Sequence, residues 1–206
     1  MKSVKIKLLN DNIFSECVLN GEFYQSRFDS CDVCVVSNVT FEECKFSNID
    51  FSNVEFDNVD LMDVVFENCD LSNKCFDKLG LDRVLFKNCK IIGGSFIDSS
   101  LRDICFDGCS ARYINFSGAS LKDVDIKMCD FTESYYNYSK FNNVKFEESK
   151  LIESEFINTN LKGIDFRSND INGCSFDSSS IKGVIVDSFQ CKEIVSNFGV
   201  IVKDWE

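Results

Sequence analysis

The chemistry open to this 206-residue chain is limited first by what it lacks: it has no histidine, which excludes Ser-His-Asp and Cys-His nucleophile pairs and histidine-based zinc sites. What remains is 12 cysteines and 34 carboxylates. Two sets of them recur at twenty-residue spacing: Cys69, Cys89, Cys109 and Cys129, and Asp50, Asp70, Asp130 and Asp170. If residues twenty apart stack, the first set is a column of four thiols, a pattern that suggests metal or redox chemistry. Thiolates in a line about 4.8 Å apart do not form a tetrahedron, so the expected role is small-residue packing, and no metal site is predicted. The aspartates line an outer face rather than a cleft, and nothing there desolvates a carboxylate enough for acid catalysis. The residues therefore point away from an enzyme, with no catalytic group and no cofactor. Cys75 and Cys105, in outward positions, are the thiols expected to be exposed and reactive.

The elements that must carry these columns are written in a period of five. Every fifth residue from Phe41 to Val186 is a large apolar side chain, Ala111 excepted. Neither a helical period of 3.6 nor a plain strand period of 2 produces that run. Two residues before each stands a smaller inward candidate, such as Cys44, Ile49, Val54, Val59 and Val64, and the positions between and after are mostly Asp, Asn, Lys, Ser and Gly. Inward at i−2 and i with outward at i−1 is strand alternation, and the two polar residues that follow read as a turn.

Strings such as CKFSN at 44–48 and CDLSN at 69–73 fit the pattern A(D/N)LXX. On them the chain resembles the pentapeptide-repeat family, over about nine tenths of its length. The resemblance implies an all-β fold, a right-handed quadrilateral β-helix with four pentapeptides per coil. The sequence passes the corresponding test. Column 46, 66, 86, 106, 126, 146, 166 reads F, F, F, F, I, F, F, and column 56, 76, 96, 116, 136, 156, 176 reads F, F, F, F, Y, F, F. About nine coils are expected, a rod of roughly 43 Å.

Residues 1–13 read as an N-terminal lead, 14–187 as the β-helix and 188–206 as a C-terminal cap. Phe23, Phe28 and Val33 also step by five but out of register with Phe41, which places a slip near 34–40. Lys74 falls on an inward i−2 site, so the side around Asn73 to Cys75 is expected to distort and let the amine reach water. The C-terminal segment reads as a helix over Ser188–Asn197, ended near Gly199, followed by a strand over Val200–Lys203. It covers the last coil, and it also resembles the C-terminal dimerisation module of Qnr-type and MfpA-type family members. That resemblance makes Phe198, Val200, Ile201, Val202 and Trp205 candidates for a homodimer contact.

Net charge is −12, and the stretch from Phe41 to Asn73 holds nine acidic residues against the single Lys45. Direct binding of nucleic acid is disfavoured by that sign. The Qnr- and MfpA-type resemblance implies instead a DNA-mimicking rod that binds DNA gyrase or topoisomerase IV and modulates quinolone sensitivity, with Asp50, Asp57, Asp60 and Asp70 as partner-binding candidates. A duplex of the same length carries roughly 25 charges, about twice as many. The chain also lacks the projecting loops of Qnr-type proteins between Phe41 and Val186. The competing expectation is a rigid scaffold for another protein, docked through an apolar outward stripe of Val65, Leu85 and Cys105. No export signal and no membrane span are read, so a cytoplasmic protein is expected.

Overall fold

A face of the rod is made by three residues in extended conformation, outward–inward–outward, as in the strands Ser100–Arg102 and Cys105–Asp107. The next residue turns the corner with a left-handed backbone. Along one edge these corners are Asn48 (φ 59°), Asn68 (φ 56°), Asn88 (φ 52°) and Gly108 (φ 65°). Asparagine and glycine are the residues that tolerate that region, which is why the period-five pattern carries them there. At Gly108 the approach is also close: a Cβ would lie 2.6 Å from the Asn88 side-chain oxygen.

The computed structural model describes residues 10–14, 18–31 and 35–203. In chain order the strands are β1 (Asn10–Phe14), β2 (Val18–Tyr24), β3 (Ser26–Cys31), β4 (Val35–Glu42), β5 (Lys45–Ser47), β6 (Glu55–Glu67), β7 (Gly80–Lys87), β8 (Ser100–Arg102), β9 (Cys105–Asp107), β10 (Ser120–Lys127), β11 (Lys140–Glu147), β12 (Glu155–Phe156) and β13 (Ser175–Phe176). One helix, α1 (Ser188–Ser196), follows them. All strand pairings are parallel, and from Val35↔Glu55 to Asp165↔Ile185 partners differ by twenty residues. The product is a four-sided parallel β solenoid.

Each of the four sides is named here by its inward residue in the same coil: Phe41, Phe46, Phe51 or Phe56. The core is stacked columns. On the Phe46 side, ring centroids of Phe46, Phe66, Phe86 and Phe106 follow one another at 4.9, 5.3 and 4.9 Å. On the Phe56 side, Phe76, Phe96, Phe116, Tyr136 and Phe156 follow at 4.8, 5.2, 5.4 and 4.7 Å.

Two expectations are corrected at the ends. The regular twenty-residue register holds for about seven turns rather than nine, because the N-terminal turns are shorter. There Asn10 pairs with Ser26 and Arg27 with Lys45. Against β6, residues 35–40 keep the twenty-residue register, but against β2 they carry a shift, from Leu19↔Val36 to Gly21↔Val39. A further two-residue shortfall lies earlier, since Phe28 pairs with Phe46 while Val35 already pairs with Glu55. At the other end Val200–Lys203 forms no strand, as it follows a helix that leaves it beside no open ladder.

Candidate functional site

Asp50 and Asp70 stand on the Phe51 side, in one parallel ladder that continues through Lys90, Ser110, Asp130, Lys150 and Asp170. Lysines interrupt the aspartates, so this side is not an anionic stripe. Lys90 Nζ lies 2.9 Å from Asp70 Oδ2. The carboxylates also have work inside their own coil. Asp50 Oδ1 accepts the Ser52 N–H at 2.8 Å and Asp70 Oδ1 the Ser72 N–H at 3.0 Å, with Asp130 and Asp170 doing the same for Thr132 and Asn172. The Ser52 amide holds Asp50 below its usual pKa. Burial works against ionisation of Asp70, but Ser72 and Lys90 outweigh it and hold that carboxyl low as well. The D/N preference at this position is thus a device that closes the turn.

Asp57 and Asp60 lie elsewhere. Asp57 is exposed on the Phe56 side, where Ser37 Oγ donates to it at 3.1 Å, and Asp60 is exposed on the Phe41 side. With Glu42, Glu43, Glu55 and Asp63 they form a collar around the early coils rather than a line along the rod. Glu67 closes the collar on the Phe46 side. It is already neutralised: hydrogen bonds from Lys45 Nζ (2.6 Å) and Lys87 Nζ (2.9 Å) hold its pKa down to about 2.

The apolar stripe is only partly available. Val65 and Leu85 are neighbours in β6 and β7 but half-buried, and Cys105, expected to be exposed, is buried with its thiol pushed up to about 11. Cys75 is exposed, and so is Cys191, which carries no repeat signal. The Cys69–Cys129 column is buried, and no His/Cys/Asp/Glu cluster able to hold a metal occurs among the described residues. Its role is hydrogen bonding along the axis, which spacing alone did not reveal. Cys109 N–H donates to Cys129 Sγ (3.3 Å), Cys129 N–H to Ser149 Oγ (3.1 Å) and Ser149 N–H to Asn169 Oδ1 (3.0 Å). Neighbouring thiols and burial push Cys109 well above its ordinary pKa.

Lys74 departs from the expectation in one respect. The side does open: the bridges Cys75↔Ser95, Ser95↔Asn115, Asn115↔Tyr135 and Tyr135↔Glu155 start at Cys75 and do not reach Glu55. The amine does not go to water, however. Lys74 is buried, and its Nζ donates to Ser52 O (3.0 Å) and Val54 O (2.7 Å), filling the interrupted rung. Burial lowers its pKa against the pull of Glu55, Asp50 and Asp70. A cavity of about 240 Å³ marks the opening, lined by Glu55, Phe56, Asp57, Lys74 and Cys75 among others.

Family models match this periodic sequence along most of its length. A pentapeptide repeat region matches residues 59–129, pentapeptide repeats of nine copies match 34–73, and pentapeptide repeats of eight copies match 137–167 and 145–183. The chain is a pentapeptide-repeat protein. Similar solved structures include QnrB1, a plasmid-mediated fluoroquinolone resistance protein, with 21% identity, 92% of this chain and 100% of that chain covered, and a TM-score of 0.39. Rfr23 from the cyanobacterium Cyanothece has 12% identity, coverage of 60% and 90%, and a TM-score of 0.44. HetL from the cyanobacterium Nostoc, involved in heterocyst differentiation regulation, has 14% identity, coverage of 83% and 90%, and a TM-score of 0.39. No curated protein matches the sequence.

In this pentapeptide-repeat protein α1 closes the last coil. Asp187 caps it, accepting from the Phe189 and Gln190 amides while Gln190 Oε1 accepts the Asp187 N–H. Gln190 Nε2 donates to Phe166 O and Asn169 O, both at 2.8 Å, and Ile194 is buried on the core. Beyond it Phe198, Val200, Ile201 and Val202 are exposed, Ile201 to 83%, and Phe189 on α1 to 80%. Trp205 lies outside the described residues. Among the described residues no helix is long and apolar enough to cross a membrane.

Proposed function

We propose that this pentapeptide-repeat protein is a non-catalytic, protein-binding rod whose acidic collar receives the basic, DNA-facing surface of a protein. The observation that carries the reading is the collar itself: Glu55, Asp57 and Asp60 are exposed on two sides of adjacent coils and form no ion pair among the described residues. The partner class to test first is the type II topoisomerases, DNA gyrase and topoisomerase IV, on the strength of the sequence resemblance. The charge pattern argues for local engagement through the collar rather than mimicry of a duplex along the whole rod, because the Phe51 side alternates in sign. Exposed apolar surface at Phe198, Val200, Ile201 and Val202 supports a second copy docking end to end there, with Trp205 a candidate from the sequence alone.

The test is supercoiling by purified gyrase with the protein titrated in, with and without a fluoroquinolone. Inhibition or rescue at micromolar protein, lost in Asp57→Lys/Asp60→Lys and weakened by salt, is the expected result. Asp50 and Asp70 serve the coil, so their reversal reports folding as well as binding. An effect that survives the collar reversal but fails in Val65→Asp/Leu85→Asp would favour the alternative scaffold reading, with docking through the half-buried stripe.

A further inference from the structure

The Phe41 side carries a charge pattern that reads the same, with opposite sign, from either end. Its outward residues fall in two columns. The first is Thr40, Asp60, Gly80, Ser100, Ser120, Lys140, Asn160, and the second is Glu42, Met62, Asp82, Arg102, Lys122, Asn142, Lys162, set at one residue per coil by ladder pairing as far as Lys140 and Asn142, with Asn160 and Lys162 following at the same spacing in the sequence. A two-fold axis crossing the face at Ser100–Arg102, perpendicular to the rod, superposes each column on itself with its direction reversed. Asp60 then meets Lys140, Glu42 meets Lys162 and Asp82 meets Lys122, each pair occurring twice. In the corner column of Asp63, Arg83, Asp103, Asp123 and Asn143, the same axis brings Arg83 to Asp123. The residues that fall on each other near the axis are Gly80 with Ser120 and Ser100 with itself, small and exposed, so two faces can approach closely. Arg102 meets its own copy, but each already bonds Asp82 of its own chain.

We propose that this side is a self-complementary surface on which a second copy of the chain docks antiparallel, flank to flank. Isologous contact about a two-fold axis needs a patch whose charges invert about its centre, and here Asp60 with Lys140 and Glu42 with Lys162 do so; Asp82 and Arg83 are already bonded to each other and to Arg102 and Asp63 of their own chain, and Asp103 meets its own copy. The depression lined by Thr40, Asp60, Met62, Gly80, Ser100 and Arg102, about 530 Å³, lies on the same side and gives the shallow relief that the facing Lys140 and Lys162 side chains would enter. Glu42 to Lys162 spans six coils, about 29 Å. A face of that length on a narrow rod is at the small end for a protein contact, so the dimer is weak and salt-sensitive. The inference stands on the basic half and the small residues of this side, not on the topoisomerase reading, although Asp60 belongs to both surfaces.

Site-specific cross-linking tests it on the full chain. In a Cys75→Ser/Cys191→Ser background, Ser100→Cys should cross-link to its own copy at low salt. Gly80→Cys and Ser120→Cys should cross-link to each other in a mixture and far less to themselves, and Asp57→Cys on another side should give only the background yield. With Ile201→Asp/Val202→Asp added to remove the end-to-end contact, sedimentation should show a dimer at about 0.03 M salt that dissociates near 0.5 M. Asp60→Lys/Glu42→Lys and Lys140→Glu/Lys162→Glu should each abolish it, and an equimolar mixture of the two variants, which meets opposite charges at all of these contacts, should restore it. The four substitutions combined in one chain should restore it. Cross-linking at Ser100→Cys that is no greater than at Asp57→Cys, a monomer at low salt, or failure of the fourfold variant to dimerise would each overturn the proposal. None of these outcomes bears on gyrase.

Discussion

A backbone N–H that points along the rod axis has only the neighbouring coil to meet it, and the small inward residue of that coil does so. Cysteine, serine and asparagine succeed one another at positions 129, 149 and 169 because each presents an acceptor to the coil before it. Cys129→Ser should therefore be nearly neutral. Cys129→Val, of similar volume, should lower stability by about 1–3 kcal/mol in urea unfolding, since it strands the Cys109 N–H. Tyr136 makes the opposite case. Its hydroxyl is buried without a hydrogen-bond partner in a column otherwise made of phenylalanine, so Tyr136→Phe should raise stability by about 1 kcal/mol in the same assay. Glu67 contributes an acid limb. Its pKa falls from 4.5 to about 2 on folding, so its stabilisation is complete above about 4.5 and is lost as pH drops towards 2. Glu67→Gln should flatten that limb by about 1 kcal/mol in a pH-dependent melt, the modest size reflecting its partial exposure. The apolar columns were legible in the sequence because burial imposes residue size. The use of a thiol or hydroxyl as an axial acceptor was not, since spacing shows which residues stack but not which atoms they share.

Among the elements, the central coils were readable to the residue and the ends were not. Left-handed corners favour Asn, Gly and Asp, although Glu43, Lys78, Arg83, Tyr113 and Met128 also adopt them, so the period of five registers in composition as well as in hydrophobicity. The N-terminal turns shorten to spacings that no repeat unit encodes, and their pairing is set by contact with β3 to β6 instead. The helix was legible as Ser188–Asn197 with its stop near Gly199, but its Asp187 cap was not, and the expected strand over Val200–Lys203 needs a ladder that this chain does not offer it. Asp187→Ala removes the acceptor for two α1 amides and should cost about 1 kcal/mol of local stability. Hydrogen exchange should show this as faster exchange across Ser188–Ser196 with the central coils unchanged. Asp50 and Asp70 were chosen from a shared spacing, which correctly stacked them but concealed Lys90 and Lys150 in the same ladder.

At the scale of the whole molecule, stability is a sum of coil-to-coil contacts, and two of those contacts are incomplete among the described residues: β11 has no ladder partner at 160–167, where a cleft of about 550 Å³ is lined by Val144, Lys145, Gly163 and Asp165, and the other gap is on the Phe56 side. The parallel ladder of the Phe56 side stops at Cys75, and a buried ammonium stands in for the missing rung. Amides of Glu55–Asn58 should exchange faster than their counterparts twenty and forty residues on, and Lys74→Ala should extend that loss to the neighbouring sides by leaving Ser52 O and Val54 O without their donor. A beam notched on one side is no longer equally stiff in all directions. There it should flex by opening the notch, swinging the acidic collar away from the coils beyond it on the Phe56 side while the other three sides stay bonded. Pulled from its ends, the rod should yield at one of these two gaps rather than between fully bonded coils.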